Sequence, residues 1–319
     1  MKKSVLIISI ILFYSCTNTS QIDGLLDEVE VLRDKYGINH IYANNQNDLF
    51  FMQGYLAAKD RLFQFEIWRR QATGTVSEIF GEDELDRDLG TRLFKFRGNM
   101  EDELNHYHKD GFEIVSSFVS GINKYIEEIN KTPSQLPIEF KLLDIKPEKW
   151  TNEDVISRHQ GLLGNIEQEL NIGRAVSLIG EEKVKELMWF HPKDPNLSLD
   201  NNLTYEDLKQ DILRLYNAYR EPIDYKKKYI LDKYQSEDEI AFTQPNIHIN
   251  DEYSIGSNNW AISGDKSFNG YPILANDPHR SLSNPSLRYM AHLVAPGWNV
   301  IGGGEPEIPG ISIGHNGIG

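Results

Sequence analysis

The chain of 319 residues has a single cysteine, Cys16. One thiol excludes a disulfide framework within the chain and any thiolate metal cluster. Basic residues are also scarce, with 33 Lys and Arg against 48 Asp and Glu and a formal charge of −15. Nucleic acid calls for a basic face, so it is not an expected partner. The only long hydrophobic run is residues 5–14, broken once by Ser9. It is too short to span a bilayer as a stable helix. Internal repeats are missing as well. Aromatic residues, by contrast, are plentiful, with 15 Tyr, 14 Phe and 5 Trp. They can build a sizeable core, and the length allows one large domain or two smaller ones.

The first sixteen residues read as a leader outside the fold. Lys2 and Lys3 form a positive start, residues 5–14 an apolar segment, and Ser15-Cys16 the close. Phe13-Tyr14-Ser15-Cys16 resembles a bacterial lipobox, with Phe13 where Leu is usual. Such a signal is cut before the cysteine, whose thiol takes a diacylglycerol. The simpler reading is plain secretion with an incidental cysteine. Two or more acyl chains on Cys16 would hold the protein at a membrane surface. The expected place is therefore the bacterial cell envelope, lipid-anchored, on a periplasmic or extracellular face. Residues 17–27 read as a short polar tether.

Beyond the tether, residues 28–42 alternate as two short strands around an Asp34-Lys35-Tyr36-Gly37 turn. Residues 47–74 carry apolar positions at helical spacing, with Asn47 or Asp48 as a cap. Residues 101–130 predict one or two more helices. Thr151 and Asp154 predict a capped helix start. Helices continue to about residue 220, interrupted by a loop over 191–202. Residues 223–256 are a polar spacer. From Tyr225 onward it has charge clusters of both signs and little periodicity, which suggests a mobile, solvated segment. From Ser257 the chain turns to short strands, expected at 259–263, 271–275, 289–294 and 298–301.

The residues that carry chemistry lie at that change of character. In Gly256-Ser257-Asn258-Asn259-Trp260, a cut between Gly256 and Ser257 would leave serine as a new N-terminus. One residue then bears both a hydroxyl and a free α-amine, a nucleophile with its own base. Gly256 suits such a cut, because a residue without Cβ takes strained geometry and leaves its carbonyl open. Twenty residues on stands Asn276-Asp277-Pro278-His279.

Three blocks together resemble the penicillin acylase family of N-terminal-nucleophile hydrolases. The first runs from Val31 through Arg33-Asp34-Lys35-Tyr36-Gly37 to Ile41, then Gly54 to Gln64 and Arg69-Arg70, like the start of that family's α chain. The second joins Gly256-Ser257-Asn258-Asn259-Trp260 to Ala275-Asn276-Asp277-Pro278-His279, like the start of its β chain. The third, Pro309-Gly310-Ile311-Ser312-Ile313-Gly314-His315-Asn316, resembles a downstream β-chain turn. The order and spacing of the blocks, covering residues 28–319, make the likeness specific.

The resemblance implies an α+β protein of the αββα four-layer fold, incomplete at the C-terminus. Residues 28–222 would be a mainly helical α-chain region and 257–319 the start of a truncated β chain. It implies a self-processing amide hydrolase acting on an N-acyl compound, with α and β chains cut from one precursor. Ser257 would be the nucleophile. His279 stands where some members carry glutamine and cephalosporin or acyl-homoserine-lactone acylases carry histidine; as an imidazole it would position the Ser257 amine or hydroxyl. The oxyanion donors would lie beyond residue 319, so the 319-residue chain alone is expected to be inactive. Catalysis needs no cofactor. A structural calcium ion is implied, with Glu169 as a ligand and Glu167 the weaker match. Residues 159–163 would lie near the acyl pocket. Trp260 is expected to pack in the core, Asn276 to hold a turn, and Asp60-Arg61 to form a buried structural ion pair. Two alternatives remain open: an acyl-homoserine-lactone or cephalosporin-type acylase, and a truncated, non-catalytic lipoprotein relative.

Overall fold

In a computed structural model of the chain, residues 20–158, 166–235, 257–279 and 283–317 are described. The leader, Cys16, residues 159–163 and Gly256 lie outside them. The architecture is a mixture of helix and sheet. Strands β1 (Glu30–Arg33) and β2 (Asn39–Tyr42) open it, followed by the long helix α1 (Gln46–Thr73). Helices α2 (Ser77–Phe80), α3 (Leu85–Phe94), α4 (Met100–Tyr107), α5 (Gly111–Asn130) and α6 (Ile138–Leu143) come next. Then come α7 (Asn152–Arg158), α8 (Ile166–Ile179), α9 (Glu181–Leu187), α10 (Tyr205–Lys209) and α11 (Arg214–Arg220). Strands β3 (Ser257–Ile262), β4 (Ile273–Pro278), β5 (Tyr289–Ala295), β6 (Trp298–Gly304) and β7 (Ile313–Asn316) complete the chain.

The core is a helix pair laid on a sheet. Asn45, and not the expected Asn47 or Asp48, caps α1 by accepting from the Asp48 N–H at 2.8 Å. Asp48 instead turns back to accept from the backbone N–H groups of Leu26 and Asp27, tying the tether to the helix. Helices α1 and α5 cross at two glycines. A Cβ on Gly54 would stand 2.1 Å from the Phe118 carbonyl oxygen, and one on Gly121 1.8 Å from that of Phe51. Only glycine lets the two backbones come so close. The ion pairs at the far end of α1 are inward-facing: Glu66, fully buried, accepts from Arg69, Arg70 and the Glu148 backbone N–H. All its lone pairs have donors, the condition under which a buried carboxylate is tolerated.

The five-stranded sheet runs β1-β2-β5-β6-β7. Its middle pair, β2 with β5, is parallel, with Asn39 to Tyr42 opposite Ala291 to Val294. Segments far apart in sequence, on either side of Ser257, therefore share one ladder. One face, with Ile41, Ala291 and Leu293, is buried and packs against α1. Residues i and i+2 share a face, so Leu32, His40, His292, Ile301 and His315 form one row across the other face.

Two cross-links from α1 fix the sheet. The Gln53 side-chain amide exchanges two 2.9 Å hydrogen bonds with the Gly310 backbone, where φ of +89° requires glycine. The Trp298 indole N–H donates to Gln46 at 3.0 Å. The block at Pro309 is thus a turn that runs directly into a strand, β7, and not a turn throughout.

Two further expectations change. Asp60 does not pair with its neighbour Arg61; adjacent helical side chains point apart. Asp60 binds Arg33 of β1, Asn39 of β2 and the Tyr289 hydroxyl of β5, the last at 2.7 Å. Burial, together with the Asp60 carboxylate, pushes the Tyr289 phenol up. Arg61 leaves helical geometry at φ −135° and reaches the Ser286 carbonyl at 3.1 Å. The first part of the spacer is docked, although most of its side chains stay exposed. Tyr225 packs on Phe63 and Phe80, and Tyr229 on Phe80. Asp83 gathers Lys226, Lys228 and the Tyr229 hydroxyl. Aromatic anchors at irregular spacing leave no periodic signal, which is why composition alone suggested mobility.

Candidate active site

Ser257 is the first residue of β3, which pairs with β4 as a separate two-stranded ribbon. The register sets Ser257 opposite Pro278 and Asn258 opposite Asp277. Proline has no N–H, so the ladder stops at the serine end. Ser257 is exposed. At the other end of the ribbon a compact turn closes the hairpin. The Ser267 hydroxyl donates to the Tyr271 carbonyl at 2.6 Å, and a Cβ on Gly264 would meet the Gly270 carbonyl oxygen at 2.3 Å.

His279 follows β4 directly. Its Nε2 lies 3.0 Å from Asp277 Oδ2 and 3.3 Å from the Asn258 side-chain nitrogen. A proton on Nε2 is donated to Asp277; without one, that nitrogen accepts from the Asn258 amide. The ribbon thus brings Ser257, Asn258, Asp277 and His279 to one end. Asn258 and Asp277 as partners of the histidine were not anticipated. The D-x-H spacing was the available signal, since alternate residues of an extended segment share a face.

Two neighbours of the serine differ from expectation. Trp260 is 52 % exposed, and so not a core residue. Leu274, on the paired strand, is 73 % exposed. A two-stranded ribbon buries little by itself, whatever its composition. Asn276 lies within β4 opposite Asn259, not in a turn.

Glu169 lies in the first turn of α8 and is exposed, as is Glu167. Among the described residues no group of three or more His, Cys, Asp or Glu comes together to hold a metal. The described residues therefore do not assemble a carboxylate cluster for calcium, and no chemistry is routed through one. No helix among the described residues is long and apolar enough to cross a membrane.

Comparison with known proteins decides the family. The family model for penicillin amidase matches residues 28–318. The chain belongs to the penicillin amidase family. Among curated members, it is 29% identical over 300 residues to the penicillin acylase 2 proenzyme of Pseudomonas sp. strain SE83, covering 93% of this chain and 36% of that protein. It is 27% identical over 320 residues to the penicillin G acylase of Escherichia coli, covering 91% and 38%. It is also 26% identical over 305 residues to the acyl-homoserine lactone acylase QuiP of Pseudomonas aeruginosa, covering 93% and 33%. A solved structure of the thermostable penicillin G acylase from Alcaligenes faecalis is 28% identical with a TM-score of 0.45, covering 54% of this chain and 97% of that one. The chain spans about a third of the length of the curated relatives it matches.

Proposed function

We propose that this chain is the N-terminal part of a self-processing acylase that hydrolyses an N-acyl amide through Ser257. The observation that carries the reading is the placing of Ser257. It heads a strand at an exposed ribbon end, beside a histidine whose Nε2 pairs with either Asp277 or Asn258, in a chain of the penicillin amidase family. In the first step the Ser257 Oγ attacks the Gly256 carbonyl carbon. The C–N bond breaks, leaving an ester on Oγ and a free α-amine on Ser257. Water then opens the ester, giving a Gly256 carboxylate and restoring the hydroxyl.

In turnover, the α-amine takes the Oγ proton as oxygen attacks the substrate amide. An α-amine titrates near neutrality, so a neutral fraction is at hand. The proton passes to the leaving amine as the C–N bond breaks, and water hydrolyses the acyl-serine. His279 orients the new terminus through its Asn258 contact. The developing oxyanion needs preorganised donors, and these belong to the remainder of the four-layer αββα fold. Attachment of a lipid at Cys16, in the cell envelope, and a calcium ligand at Glu169 belong to the same reading. So does a second substrate class: similarity to an acyl-homoserine lactone acylase makes the acylated lactones the alternative to acylated β-lactam nuclei.

The test is the full-length gene product. Mass spectrometry should find two chains, the larger beginning Ser-Asn-Asn-Trp, and a lipid mass on the smaller. Ser257→Ala should give a single uncut chain with no amidase activity. Two chains from that variant would end the self-cutting reading.

A further inference from the structure

We propose that residues 223–231 are a permanent strap of the helical region and stay with the α chain when the precursor is cut, so that any excised spacer begins beyond Leu231. That the strap stays after cutting rests on the self-cutting reading; that it is seated does not. Composition alone places the start of the spacer at residue 223. The contacts run on past that point without a break. Just before it, the buried Arg87 guanidinium donates to the carbonyls of Tyr219, Glu221 and Pro222, at 3.3, 2.5 and 3.1 Å. Ile223 then packs on a small apolar cluster of Ile67, Val76 and Phe80. Tyr225 lies edge-on to Phe80 with ring centres 5.6 Å apart, and Tyr229 lies across the same ring at 5.0 Å. Between them, Lys226, Lys228 and the Tyr229 hydroxyl converge on the one carboxylate of Asp83, at 2.8, 2.7 and 2.8 Å. The Leu231 N–H donates to the Leu142 carbonyl of α6 at 2.9 Å.

What lies beneath the strap argues that it is kept. Phe80 and Val76 are each 1 % exposed, although α2 spans only four residues and cannot enclose them by itself. Two of the side chains that pack on this cluster, Ile223 and Tyr229, come from the strap. A chain ending at Pro222 would open the cluster to water and take three donors from Asp83. Apolar burial opposes that, even for a strap whose own side chains are mostly exposed. The partners of the strap belong to α1, α2, α6 and the turn that carries Asp83, so its seat is built within this chain and does not wait for the rest of the full-length protein.

Two measurements test the strap. Its lysines make it a target for trypsin. Lys226, Lys227 and Lys228 stand in and beside a single 3-10 turn, Lys227–Tyr229, where the Tyr229 N–H donates to the Lys226 carbonyl. A protease needs an extended chain, so it cuts the fraction of molecules in which the strap has opened. In the uncut Ser257→Ala form of the full-length protein, trypsin under native conditions should spare these three lysines. Adding Tyr225→Ala with Tyr229→Ala removes both rings and leaves the body beneath unaltered, and should speed cutting there by about tenfold or more. Rapid cutting in the parent form, or equal rates in the two forms, would overturn the strap. The second measurement is the intact mass of the smaller chain of the mature wild type. That chain should end at or beyond Leu231; an end anywhere short of it would overturn the proposal. A wild type that stays uncut would instead count against the self-cutting reading, and the trypsin result would then decide the strap alone.

Discussion

The five-stranded sheet and the β3–β4 ribbon are made of similar residues and end in opposite states. In the sheet, β5 alternates cleanly and turns Ala291, Leu293 and Ala295 into the core against α1. In the ribbon, β3 and β4 pair in register over six residues each, yet Trp260, Ile273 and Leu274 stay exposed. Backbone pairing is thus satisfied in both, and burial in only one. Pairing alone supplies little net stability, because water competes for the same groups. The sheet is held by what α1 lays on it. The ribbon is held by its own ladder and turn, and it is the ribbon that carries Ser257. The residue at the head of that ribbon, Ser257, is itself exposed.

The largest expected effect that sharpens this contrast is in the sheet. Leu293 is fully buried under α1. Leu293→Ala should cost about 3 kcal/mol, from lost transfer energy and the cavity left behind. A urea titration of the chain would read it as a shift of midpoint at constant slope; a cost below about 1 kcal/mol would mean that the sheet–helix contact is looser than described. The next effect is on the ribbon's chemistry. His279→Gln in the full-length protein should still self-process, since the first attack needs only Ser257 and Gly256. It should lower amide turnover about tenfold, less than the loss of a group that itself transfers the proton, because His279 only positions the new terminus. An unchanged rate would leave His279 as a residue that merely ends β4.

A third test concerns the docked start of the spacer. The Asp83 carboxyl is held well below the usual carboxylate range by its hydrogen bonds from Lys226, Lys228 and Tyr229. A depressed pKa means that the docking contribution is present above the ordinary carboxylate range and is lost as pH falls below it. Asp83→Asn at pH 7 should therefore release residues 226–229 to faster hydrogen exchange, with little change in overall melting. Retained protection would place the anchoring on Tyr225 and Phe80 alone.

Much of this was legible in the sequence, for reasons that differ by region. Helix α5 announced itself because a 3.6-residue apolar period repeats over its turns, whereas α1, buried on nearly every side, showed mainly as a long stretch without proline. The Thr151–Asp154 cap is visible because its partners are three residues apart, and Asp154 does accept from the Thr151 N–H. Ser257 and His279 stood out only through their motif blocks; no periodicity marks them. What stayed hidden depends on distant partners. Nothing local says that Asp60 meets Arg33 and Tyr289, that Gln53 clasps Gly310, or that His40 finds His292. Trp260 misled because aromatic residues are usually buried by something, and a strand pattern does not say by what.

The smallest expected effect is the most direct break of the comparison. Leu274→Ala makes the same chemical change as Leu293→Ala, at a side chain 73 % exposed instead of buried. Removing exposed methyl groups returns almost no surface to water, so the cost in the 319-residue chain should stay within about 0.5 kcal/mol. The ratio of the two costs measures how unequal the two β systems are. If Leu274→Ala instead destabilised the chain as much as Leu293→Ala, the ribbon would have to be packed beneath other residues in solution. Ser257 would then sit at a covered edge, and the contrast between the two β systems would fall.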